Sequence, residues 1–194
     1  AHTTNHIRDE IEKFREKPIL LIEPVPANIE AIKKNLKDFT NVIIEPVAIA
    51  NKAEKRNFYF VKSESIAKLG KHWASGIGSF DKNHLLNHKS KRFKIEESDI
   101  ETIVIECLTF DDIVKKYQIC EIEKMIIDIE GSEYEILKDI DLQKIKISNI
   151  LFEFKHFDGV FQTGDKLKEI INKFEKNNYK TSKIDEENML AVKK

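Results

Sequence analysis

Apolar runs alternate with stretches of helical periodicity along most of the chain. The run Pro18-Ile-Leu-Leu-Ile-Glu23 is continuous, as in a parallel strand covered on both faces, and residues 27–36 follow with apolar positions at helical spacing. A second strand is predicted over 41–48. Two more, over 56–61 and 101–107, enclose a polar stretch containing Gly70, Gly76 and Gly78. Its periodicity is too poor for a stable element, which predicts an insertion or lid over 65–94. Alternation then returns, with helix 110–117, strand 124–128, helix 132–137, strand 149–153 and helix 165–177. Short strands at 179–184 and 189–192 around the polar Asp185-Glu-Glu-Asn188 predict a hairpin. The pattern is that of an α/β fold, a mostly parallel sheet with helices on both faces and a C-terminal antiparallel hairpin.

Length and composition narrow this further. The 194 residues, 41% hydrophobic and 35% charged, suffice for one sizeable core, so a single domain over 1–194 is expected. Thirty-three Lys+Arg against 34 Asp+Glu leave a net charge of -1, which removes the basic field of a nucleic-acid or membrane-surface binder. No apolar run approaches the roughly 20 residues that cross a bilayer, and the first six residues lack an apolar signal core. A soluble, cytoplasmic protein is expected, with neither nucleic acid nor membrane as partner. Cys107 and Cys120 have no second pair for a disulfide framework or zinc site and are read as free thiols. His84 and His88 stand at i,i+4 spacing, but no acid accompanies them on that stretch, so no metal is expected.

In open α/β sheets ligands bind beyond the carboxyl ends of the strands. The first strand ends in Glu23-Pro24-Val25-Pro26-Ala27-Asn28, where proline stops the ladder and fixes a carboxylate at the tip. An acid there can hold the two hydroxyls of a ribose. Such a site calls for a glycine turn about 20 residues upstream. No glycine precedes Gly70, and the count from Glu23 reaches residues 1–4. The first strand and its glycine loop are therefore expected before the first residue.

A second group is Ile127-Asp-Ile-Glu-Gly-Ser-Glu133. The strand period of two puts Asp128 and Glu130 on one side, and Gly131 allows a sharp turn. Ser132 with Glu135 has the spacing of a capping box, which marks Ser132 as a helix start and not a nucleophile. A third is Glu153 with His156, where a histidine can take a proton from a hydroxyl near neutral pH. A fourth is the small-residue loop between Trp73 and Phe80, followed by Lys82, Lys89, Lys91, Arg92 and Lys94, which can fold over a ligand.

In order, Glu23-Pro24-x-Pro26-x-Asn28, Thr109-x-Asp111-Asp112, Asp128-x-Glu130-Gly131-x-Glu133 and Glu153-x-x-His156 resemble the FkbM-type methyltransferases, over about residues 1–156. Ala1-His2-Thr3 looks like the tail of that family's glycine-rich first motif, with His2 in place of Asn. The resemblance implies a Rossmann-like fold, S-adenosylmethionine as cofactor, and methyl transfer to a hydroxyl of a small-molecule acceptor, often a sugar or polyketide. It implies that Glu23 binds the ribose beside Pro24, that the turn at Pro46, Val47 and Ala48 borders the adenine, and that Asp128 and Glu130 face the methionine or acceptor. Asp128, Glu130 and His156 are then the candidate catalytic residues. The alternative is a non-catalytic nucleotide- or sugar-binding module on the same fold.

Overall fold

A computed structural model describes residues 5–69, 78–87, 89, 90, 93–129, 131–159 and 162–194. The candidate residue Glu130 lies outside them, as do residues 1–4, Gly70, Trp73, Gly76, His88, Lys91 and Arg92. The chain divides into two compact units, residues 1–49 with 54–107, and residues 50–53 with 108–194.

The first unit opens with α1 (Asn5–Lys13), β1 (Ile19–Ile22), α2 (Pro26–Asn35) and β2 (Val42–Glu45). β1 and β2 pair in parallel, Ile19 opposite Val42 through Ile22 opposite Glu45. Ile11 from α1 joins Ile32, Leu36 and Phe39 in a core that packs on Ile19, Leu21, Val42 and Ile44. Pro26 opens α2 because the ring presets the helical φ and its missing N–H would have had no partner in the first turn.

The strand predicted over 41–48 is in fact two. β2 stops at Glu45 and β3 (Ala48–Ile49) belongs to another sheet, because Pro46 between them cannot donate to a ladder. That second sheet has the order β3-β8-β4-β5, with β4 spanning Glu54–Val61, β5 Gly78–Ser79 and β8 Ile100–Leu108. β4 runs antiparallel to both β8 and β5. In β8, Ile105 and Cys107 are buried while the alternate residues Val104 and Glu106 are exposed. One-sided burial is the signature of an antiparallel sheet.

Between β4 and β8 lie α3 (Ser63–Leu69), α4 (Lys82–Asn87), β6 (Lys89–Ser90), β7 (Phe93–Lys94) and a 3-10 turn at Glu97–Asp99. The described part of the segment expected to hold no stable element thus contains two short helices. Leu85 and Ile95, fully buried, pack with Val61 and Ile100 against Ile66 and Leu69. Helices of one or two turns are too short to reveal a 3.6-residue period in sequence.

The second unit contains α5 (Phe110–Lys116), β9 (Glu121–Ile127), α6 (Glu133–Asp139), β10 (Lys146–Glu153), α7 (Asp165–Lys176), β11 (Tyr179–Lys183) and β12 (Asn188–Lys193). Its sheet has the order β11-β12-β10-β9. β9 and β10 are parallel, while β12 runs antiparallel to both β10 and β11, which realises the predicted hairpin. Phe152 on β10 stacks on Phe157 at 6.0 Å and meets Phe174 on α7 at 5.6 Å; Phe174 in turn meets Tyr179 at 5.4 Å. Lys173 closes α6 by donating to the carbonyls of Leu137, Lys138 and Ile140.

The fold is α/β, and the expected mostly parallel sheet is corrected. β1–β2 and β9–β10 pair in parallel, whereas β4–β5, β4–β8, β6–β7, β10–β12 and β11–β12 are antiparallel. The apolar alternation that identified β4 and β8 carries no information about strand direction. Among the described residues no helix is long and apolar enough to cross a membrane.

Candidate functional site

In the first unit, the β1–β2 ladder extends one step beyond β1, where the Glu23 amide donates to the Glu45 carbonyl at 3.1 Å. Glu23 is thereby fixed at the strand tip, 4% exposed. Its Oε1 accepts from the Val25 amide at 3.0 Å and from Asn28 Nδ2 at 3.2 Å. The carboxylate therefore also shapes the turn into α2, with Asn28 reaching back from the helix. Pro24 is half-buried beside it. Val47 and Ala48 are buried, and Pro46 ahead of them is exposed.

In the second unit, the parallel register of Ile127 opposite Phe152 brings the carboxyl ends of β9 and β10 side by side. Asp128 and Glu153 follow directly. Asp128, Glu133 and Glu153 each offer a carboxylate oxygen, and these lie within 4.8 Å of one another. Asp128 is exposed, whereas Glu133 and Glu153 are buried. Three acids this close need compensation. Lys155 supplies a cation, its Nζ 2.5 Å from Glu153 Oε1 and 3.3 Å from Glu187 Oε2. His156 lies on the same side, its Nε2 3.8 Å from Glu153 Oε2.

Glu133 is compensated by backbone. Its Oε1 accepts from the Ile129 amide at 2.8 Å, and Oε2 accepts from the Gly131 amide at 3.0 Å. Burial nonetheless raises its pKa above the usual carboxylate range; the backbone donors oppose that shift and the Asp128 charge adds to it. Gly131 has a φ of 106°, a left-handed conformation that glycine adopts without a Cβ penalty.

Asp128 and His156 thus both lie at the grouped ends of β9 and β10, around Glu153. The capping box expected of Ser132 is corrected: Ser132 makes no capping hydrogen bond, and the carboxylate one residue later takes the loop amides instead. Thr109, by contrast, forms a full capping box with Asp112 at the start of α5. Sequence reasoning passed over Glu133 as a buried acceptor and Lys155 as the counter-charge. The available signals were an acid two residues beyond a turn glycine and a lysine two residues beyond a strand-end acid.

A family model described as the methyltransferase FkbM domain matches residues 3–181. No curated protein and no solved structure matches the chain.

Proposed function

The chain belongs to the FkbM methyltransferase family, and on that premise we propose that it transfers a methyl group from S-adenosylmethionine to a hydroxyl of a small molecule such as a sugar. The observation that carries this reading is the convergence of Asp128, Glu153 and His156 at the paired carboxyl ends of β9 and β10. When bound, S-adenosylmethionine would supply an electrophilic methyl group on a positively charged sulfonium.

The residues suit that cofactor chemically. In the first unit, Glu23 is an acid at a strand tip, the kind of group that accepts from a ribose diol. Pro24, Val47 and Ala48 are its apolar companions, Val47 and Ala48 on the adenine side. In the second unit, acids favour a neighbouring positive charge, a role for Asp128.

The protein's own work is alignment and removal of the acceptor proton. His156 takes that proton, and Glu153 beside it stabilises the resulting imidazolium. Asp128 and Glu130 orient the acceptor hydroxyl. The test follows label from methyl-labelled S-adenosylmethionine into a panel of sugars and hydroxylated small molecules. Labelled product is expected. Calorimetric cofactor binding without label in any acceptor, cell extract included, favours the binding module instead.

A further inference from the structure

Glu133 is 1% exposed, and its carboxylate is spent on the chain's own backbone. The amides it holds belong to Ile129 and Gly131, immediately after the candidate Asp128 and on either side of position 130. Burying a carboxylate is costly unless hydrogen bonds repay it, and a neutral side chain would pack the start of α6 without that cost. Gly131 is itself exposed, and its amide donates to both oxygens of the Glu133 carboxylate. The same loop includes a backbone conformation that glycine favours. A left-handed glycine at 131 and a buried anion that binds both amides fix the backbone at Ile129 and at Gly131.

We propose that Glu133 is a positioning residue for methyl transfer: its carboxylate latches the Ile129 and Gly131 amides and so sets where the neighbouring Asp128 is presented. The carboxylate does not touch the reacting groups in this role; it acts through Asp128. The role in catalysis rests on the methyl-transfer reading above, while the latch itself does not. Lost alignment lowers turnover more than cofactor affinity, because a misplacement of about 1 Å at the reacting atoms can cost about a hundredfold in rate.

The full chain and its Glu133→Gln variant test this. Gln keeps the volume but replaces one acceptor oxygen with a donor that opposes the loop amides. Residue-resolved hydrogen exchange should find the Ile129 and Gly131 amides protected in the wild type. In the variant they should exchange about tenfold faster or more, the size of a lost hydrogen bond to a charged group, while β10 and α7 amides keep their rates. Unprotected Ile129 and Gly131 amides in the wild type overturn the latch with no variant needed, even if Glu133→Gln does not fold. The catalytic role predicts that kcat falls about tenfold or more in the variant while KM for S-adenosylmethionine changes by about twofold or less. Faster amide exchange with unchanged kcat overturns the positioning role. A wild type that binds S-adenosylhomocysteine but transfers no methyl group overturns the methyl-transfer reading and with it the positioning role, while the exchange data still decide the latch.

Discussion

At the start of α6 two adjacent side chains compete for one task. Ser132 occupies the cap position and makes no capping hydrogen bond, while Glu133 sends its carboxylate back to the loop. A working N-cap serine is worth about 1 kcal/mol, so Ser132→Ala should cost less than about 0.5 kcal/mol in denaturant unfolding. A cost of a full cap would show that Ser132 holds the helix after all. Glu23 poses the reverse question, since it both closes the turn to Val25 and Asn28 and stands where a ribose acceptor is proposed. Glu23→Gln retains one acceptor oxygen. Its calorimetric affinity for S-adenosylhomocysteine should fall by about 1.5 to 3 kcal/mol, the worth of a charge-assisted hydrogen bond, with the far-ultraviolet spectrum unchanged. A lower melting temperature with unaltered affinity would confine Glu23 to the turn.

Elements with a full period were legible in the sequence. In α7, Leu167, Ile170 and Phe174 fall on one face and are all buried. β10 and the β11–β12 hairpin were equally plain. Legibility failed where the chain is too short or its pattern is ambiguous. α1 has few apolar positions, and α3 and α4 are seven and six residues long. Strand alternation located β4 and β8 but not their antiparallel pairing, and it ran through the break at Pro46. Of the site, the strand-end acids and His156 were readable because a strand must stop somewhere and proline or glycine marks where. Their compensation by Lys155 was not, since charge pairing of buried acids depends on tertiary contact. The hairpin offers a measurement at this scale. The Tyr179 hydroxyl donates to the Ile147 carbonyl at 2.6 Å, tying the end of α7 and the start of β11 to β10. Tyr179→Phe should cost about 1 to 3 kcal/mol by leaving a buried acceptor short of its donor. A neutral result would mean that water or the ladder satisfies Ile147.

Across the whole molecule, acidification acts on hydrogen-bonded carboxyls in opposite directions. The Glu96 amide, against the pull of burial and with help from Ser65 and Lys68, holds Asp99 below its ordinary pKa of 3.8. Burial works against Asp158, but the amides of Lys166, Leu167 and Gly164 hold it low as well. A carboxyl with a depressed folded pKa contributes stability above its unfolded value, and that contribution is lost as pH falls through the folded value. Both aspartates therefore favour neutral over strongly acidic solution. Glu133 has the other sign, because burial raises it from 4.5. Its contribution is fully present below 4.5 and is lost as pH rises through the raised folded value. Glu133→Gln removes that loss along with the titrating group. Relative to wild type, the variant should accordingly melt at a higher temperature at pH 7 than it does at pH 4, whatever fixed difference the altered hydrogen bonds add. Thermal melts of both proteins at pH 4, 5.5 and 7 measure this shift. A melting difference that stays constant across the three would mean that Glu133 titrates as an ordinary glutamate, and that the loop amides fully repay its burial.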